Sequence, residues 1–176
     1  MKLAFVHRRF GVDGGTERFL ESLTRRMAER GHAIVVFAAS VDPRFARTRL
    51  ATFKGLPGAG GGILSALLLL LGAALRVRPG DYDAVLHLGR TGPRDIYRAG
   101  GGCHRSWYEL LLSNATTRGA RLRLRLSPYH RLRLWHEGRA LRAGRFVVPS
   151  DRARRDLLAA YGPLAECVQV LPNGVD

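Results

Sequence analysis

The first 38 residues constrain the fold more than any other stretch. KLAFVH (2–7) is a short apolar run, and a glycine loop, GVDGG (11–15), follows it. From Thr16 the apolar residues Phe19, Leu20, Leu23, Met27 and Ala28 recur at helical spacing, with Arg18, Glu21, Arg25, Arg26 and Glu29 on the other face. Gly31 stops the helix, and HAIVVFA (32–38) is a second apolar run. Strand, helix and strand in so few residues make a βαβ unit, whose two strands lie parallel because the crossover returns the chain to the same end of the sheet.

The alternation continues. Strands are expected near 50–53, at 84–88, at 95–98, at 145–148 and at 168–171. Between them, GLPGAGGG (55–62) reads as a flexible connection and Pro79-Gly80 ends the helix before it. Residues 107–112 are expected to be helical; RLRLRL (121–126) suits a strand by its period of two and a helix by its Leu122–Leu126 pair, and is assigned to a helix. Ser127-Pro128 starts a helix reaching about residue 143, and Ser150 caps another over 151–161, closed by Gly162-Pro163. The expected fold is α/β: an open, doubly wound, mostly parallel Rossmann-like sheet in one domain over residues 1–172, with ligands at the carboxyl ends of its strands. At 46% apolar and 24% charged residues, the composition excludes intrinsic disorder.

The apolar stretch 62–75 is 14 residues long, short of the roughly 20 that span a bilayer. It is expected to be a buried helix between the sheet and its neighbours, with insertion into a membrane surface as the other reading. The chain carries 29 basic and 14 acidic residues, a formal +15, and all the basic residues except Lys2 and Lys54 are arginines. Such a field favours phosphates, nucleic acid or anionic lipid. Arg131, Arg133 and Trp135 combine a basic helix face with an interfacial aromatic, and are expected to face an anionic membrane unless the face is simply solvated. Nucleic-acid binding lacks a recognisable reading motif. Cys103 and Cys167 have no metal-ligand spacing, and the amino terminus has too short an apolar run for a signal-peptide core, so a reducing cytoplasm is expected.

Two glycine segments sit where strands end. In GVDGGTE (11–17) the amides of Gly14, Gly15 and Thr16, at the positive end of a helix, suit a phosphate, with Glu17 beside them. The loop has neither a dinucleotide fingerprint nor a P-loop pattern, which argues against a dehydrogenase or an NTPase. In GGGCH (100–104), Gly101 and Gly102 let the backbone approach a ligand, and His104 at the rim can orient or deprotonate a hydroxyl; a surface or capping role is the plainer reading. Asp95, flanked by Arg94 and Arg98, is either a catalytic carboxylate or a salt-bridged strand residue.

Three segments together resemble the amino-terminal half of a family 4 glycosyltransferase, an enzyme class of the two-domain GT-B fold. They are residues 2–38 with Gly-Gly-Thr-Glu at 14–17, the stretch 95–104, which is similar to the acceptor-side loop of members that work on lipopolysaccharide core, and residues 146–176 ending in Pro-Asn-Gly-Val-Asp. The resemblance implies retaining, metal-independent transfer from a nucleotide sugar to a hydroxyl of a lipopolysaccharide core or other envelope glycolipid, on the inner face of the cytoplasmic membrane, with no cofactor. It implies that Gly14 and Gly15 approach the donor diphosphate or the acceptor, that Glu17 orients their loop and that His104 lies beside the sugar. Relatives often carry a carboxylate about where Gly101 or Gly102 stands here. The hinge is expected to start at 173–176, so the chain is expected to be either a fragment or a truncated product that needs a separate donor-binding chain, and to be inactive alone. A non-catalytic accessory domain is the remaining alternative.

Overall fold

The structure is a computed structural model that describes residues 1–89, 91, 95–143 and 145–173. Arg94 and the hinge residues 174–176 lie outside it. Its strands are β1 (Lys2–Phe10), β2 (Ala33–Val41), β3 (Thr52–Gly55), β4 (Ala84–Leu88), β5 (Ile96–Arg98), β6 (Arg145–Val148) and β7 (Gln169–Val170). They form one sheet in the order β3-β2-β1-β4-β5-β6-β7, parallel at every pairing. The helices are α1 (Gly15–Glu29), α2 (Pro43–Ala46), α3 (Gly62–Arg76), α4 (His104–Asn114), α5 (Arg118–Leu126), α6 (Pro128–Arg142) and α7 (Asp151–Tyr161).

β1 is buried on both faces. Ala4 and Val6 pack with Val35, Phe37 and Val85 beneath Leu69, Ala73 and Val77 at the α3 side. Phe5 and Phe10 pack with Ile34, Val36 and Leu88 beneath Leu20 of α1. Alternate residues of a strand point to opposite faces, so α1 and α3 cover opposite sides of the sheet. A third cluster joins Tyr97, Phe146 and Val148 to Leu141 of α6 and Leu157 of α7.

The expected helix starts hold where side chains cap them. Ser127 accepts from the His130 amide, with Pro128 in the first turn of α6, and Ser150 accepts from the Ala153 amide of α7. RLRLRL is helical, within α5, capped by Thr117. The one-turn α2 was not anticipated, although Asp42-Pro43 carries its signal: the Asp42 carboxylate accepts from the Arg44 amide.

Two expectations are corrected. The stretch 55–62 is anchored as far as Gly60: Leu56 is buried, Pro57 packs on Gly72, and the Ser65 hydroxyl lies 2.6 Å from the carbonyls of both Gly58 and Gly60. The apolar helix α3 is not buried all round, because it has the sheet on one side only. Ser65, Leu69, Gly72 and Ala73 are buried, whereas Leu64, Leu67, Leu68, Leu71 and Leu75 are exposed.

Glu137, in α6, is 4% exposed and ties three helices together. Its carboxylate accepts from the backbone amides of His104 (2.7 Å) and Arg105 (3.1 Å) at the start of α4, and from the Tyr161 hydroxyl (2.8 Å) at the end of α7. Burial, then the Glu137 charge, pushes the Tyr161 hydroxyl far above its ordinary pKa, and burial pushes the Cys103 thiol up as well. Tyr161 therefore stays a donor.

Glu137→Ala leaves two helix-start amides and a hydroxyl unpaired, and is expected to lower stability by roughly 3 kcal/mol in denaturant titration; a loss under about 0.5 kcal/mol would mean that solvent replaces the carboxylate. At Gly58, φ is +95° and an added Cβ would lie 2.4 Å from the Ser65 carbonyl oxygen. Gly58→Ala is therefore expected to cost roughly 1–3 kcal/mol, and Gly60→Ala, where an added Cβ meets nothing within 4 Å, far less.

Candidate functional site

Strand order reverses between β1 and β4, where one crossover leaves on the α1 face and the other returns on the α3 face. That divergence opens a crevice at the strands' carboxyl ends. A cavity of about 300 Å³ occupies it, floored by His7, Leu88, Gly89, Tyr97 and Gly100 to Gly102 and walled by Ser65 and Leu69 of α3 and Tyr129, Arg133, His136 and Glu137 of α6.

His7 is the buried titratable side chain that β1 delivers to this cavity. Its Nδ1 lies 2.8 Å from the Leu88 carbonyl oxygen, which can only accept, so Nδ1 carries the proton. Nε2 is then directed to Glu17 Oε1 at 3.6 Å. A neutral His7 offers a lone pair there, and a protonated one forms an ion pair with Glu17. Histidine and carboxylate thus make a pair that can accept a proton from a hydroxyl and stabilise the resulting charge.

The two glycine segments meet. Gly14 faces the Glu17 carboxylate so closely that an added Cβ would lie 2.4 Å from Oε2, while at Gly15 an added Cβ meets nothing within 4 Å. At Gly100 it would lie 2.9 Å from Thr16 Oγ1 and 3.1 Å from Arg98 Nη1. Of the expected phosphate-binding residues, then, Gly14, Thr16 and Glu17 are held in contact with a neighbouring group, Gly15 is open, and Gly101 and Gly102 line the cavity.

Arg98 is 2% exposed. Its guanidinium stacks 3.7 Å over the Phe19 ring, Nη2 donates to the Asn173 side-chain oxygen, and Nε has no hydrogen-bond partner among the described residues. Burial pushes its pKa below the ordinary value, yet a guanidinium stays charged. A buried cation and the amino end of α1 therefore both raise the potential at the junction of the glycine segments, which suits an anion.

Other sequence-predicted residues are elsewhere. His104 is not at the rim: it is the first residue of α4, 3% exposed, with its ring stacked 5.5 Å from His130 and 5.3 Å from Trp107. Asp95 lies at the opposite, amino end of β5, where its carboxylate accepts from the Val85 amide at 3.2 Å. Arg133 turns into the cavity, 4.4 Å over the Tyr129 ring, instead of outward. Arg131 and Trp135 do face solvent. Among the described residues no cluster of His, Cys, Asp and Glu fits a metal ion, and no helix is long and apolar enough to cross a membrane.

Sequence reasoning passed over His7, Arg98 and Glu137. Each had a faint signal: a histidine closing an apolar run, an arginine ending a buried strand, and a rare acid among arginines.

Residues 13–176 match the family model Glycosyltransferase Family 4. No curated protein matches the chain in sequence. The solved structure of WaaG, a glycosyltransferase involved in lipopolysaccharide biosynthesis, is similar with a TM-score of 0.77 at 19% identity, over 99% of this chain and 45% of that one. UGT2 of Phytolacca americana is similar as the apo form, with a TM-score of 0.56 at 13% identity over 99% of this chain and 52% of that one. Its complex with UDP-2fluoro-glucose and pterostilbene gives 0.63 at 11% identity over 99% and 55%. The chain spans about half the length of these structures, and at such identities they establish the fold: the amino-terminal half of a GT-B glycosyltransferase. Matched by the family model over all but its first dozen residues, the chain belongs to glycosyltransferase family 4.

Proposed function

We propose that this chain is the acceptor-side domain of a retaining, nucleotide-sugar-dependent glycosyltransferase that works without a metal on lipopolysaccharide core or another envelope glycolipid, at the cytoplasmic face of the membrane. The observation that carries the reading is the cavity at the β1/β4 switch point, with His7 on its floor and the Glu17 carboxylate behind it at 3.6 Å from Nε2. Two similar structures support it, one of a glycosyltransferase involved in lipopolysaccharide biosynthesis and the other of an enzyme complexed with UDP-2fluoro-glucose. A second α/β domain, in the same protein or a partner chain, supplies most of the donor site.

In this reading an acceptor hydroxyl lies beside His7. Its oxygen bonds to the anomeric carbon of the donor sugar, the bond from that carbon to the diphosphate breaks, and the hydroxyl proton leaves through His7 Nε2 or the departing phosphate. His7 positions the nucleophile, Glu17 fixes His7, and the cation at Arg98 with the α1 amides offsets negative charge on the diphosphate.

Acceptor binding by this chain is the direct test. Titration with a lipopolysaccharide-core oligosaccharide is expected to shift the NMR resonances of His7, Tyr97 and Gly100 to Gly102; shifts confined to other surfaces, or none, would remove the acceptor from this cavity. In the two-domain enzyme, His7→Ala is expected to lower kcat roughly 10²-fold and Glu17→Gln by less. The product is expected to keep the donor's anomeric configuration, and EDTA to leave the rate unchanged. A His7→Ala enzyme with wild-type turnover would take His7 out of the chemistry.

A further inference from the structure

Five leucines of α3 need a partner that water does not provide. Leu64, Leu67, Leu68, Leu71 and Leu75 are between 40% and 68% exposed, and their spacing of three and four places them in one stripe about 16 Å long. Single exposed leucines are ordinary, but a row of five along one helix is not.

The adjoining helix extends the patch. Trp135 of α6 is 57% exposed, with the Arg139 guanidinium 5.6 Å from its ring. A groove of about 820 Å³ separates the two helices, lined by Leu67 and Leu71 on one side and by Arg131, Trp135 and Arg139 on the other. α3 has no acidic residue, and the acid of α6 is the buried Glu137, so the exposed charges of both helices are arginines, Arg76 and Arg142 included.

An apolar stripe fringed by cations and an interfacial tryptophan matches an anionic lipid surface. A second copy of this +15 chain fits worse, because it would set one arginine fringe against another. None of the five leucines lines the carboxyl-end cavity, although α3 starts beside it. The groove and the cavity adjoin, since Leu70, Thr91, Leu132 and His136 line both.

We propose that α3 docks in the interface of an anionic lipid bilayer, its leucine stripe at the acyl-chain boundary and Trp135, Arg131 and Arg139 among the headgroups. This goes beyond a basic face on α6: the apolar contact is on α3, and it is what places the groove at the lipid. For the acceptor-side reading, the consequence is that a lipid-linked saccharide reaches the cavity while its chains stay in the bilayer.

The test uses the 176-residue chain and vesicles of phosphatidylcholine with or without about one third phosphatidylglycerol. The chain is expected to sediment with the anionic vesicles, and L67Q/L71Q to bind at least roughly tenfold more weakly. L110Q/L122Q, which replaces two leucines of similar exposure on α4 and α5, is expected to bind as the wild type does. In a W107F chain the remaining tryptophan, Trp135, is expected to shift to the blue on binding. Circular dichroism is expected to be the same for both double variants, as their changes are on the surface. Equal binding to both vesicle types, unchanged binding of L67Q/L71Q, or equal weakening by L110Q/L122Q would overturn the proposal. So would a dimer in sedimentation velocity that L67Q/L71Q abolishes. No donor or sugar enters the assay, so its failure would leave the acceptor-side reading standing, and failure of oligosaccharide binding would leave the docking result standing.

Discussion

Everything in this chain is hung on β1, which pairs with parallel strands on both edges and is buried on both faces. A strand so placed has no freedom of register, because a one-residue slip would carry Val6 and Phe5 to each other's faces. It also fixes where helices can go: α1 must cover one face on the way to β2, and α3 must cover the other on the way back to β4. The crevice is the place where those two crossovers part, and β1 ends there with His7. Geometry of the sheet, rather than any local motif, brings His7 to the Leu88 carbonyl and to Glu17.

Two buried charges flank that crevice, and the fold treats them differently. Glu137 is satisfied by two amides and a hydroxyl, so its desolvation is offset and it holds α4, α6 and α7 in register. Arg98 is compensated by one neutral amide oxygen and the face of an aromatic ring. Neutral partners solvate a cation less well than a carboxylate does, so the positive potential at the glycine junction remains available to a ligand. The asymmetry separates a structural charge from one that can act on an anion.

Local signals made much of the fold legible. Ser150 and Gly162 bracket α7, Ser127-Pro128 opens α6, and the apolar runs mark β1, β2, β4 and β6, because each signal acts within a turn or a strand. The α3 error had a different source: when nearly every position is Leu, Ala or Gly, periodicity cannot say which face is covered, and the answer lies in how many neighbours the helix has. The site was legible only in part. Gly14, Thr16, Glu17, Gly101 and Gly102 were singled out from loop position, and the fold brings their two loops together; His104 was drawn from its adjacency to the glycines, and helix α4 turns its ring onto His130. His7 and Arg98 act through contacts made across the sheet, to which a linear reading is blind.

The cavity and the groove differ in kind, and the difference constrains what passes between them. The cavity floor presents a histidine, a carboxylate neighbour and glycine amides, whereas the groove wall presents leucines and an indole. A wholly polar ligand would gain nothing from the groove, and a wholly apolar one would leave the polar groups of the floor desolvated and unpaired. A molecule with a polar head and an apolar stem would be complementary to both, because Leu132 and Leu70 stand where one kind of lining gives way to the other. Since α3 and α6 wall the cavity and also line the groove, the distance from the groove to His7 is fixed by how these helices pack on the sheet and not by a loop.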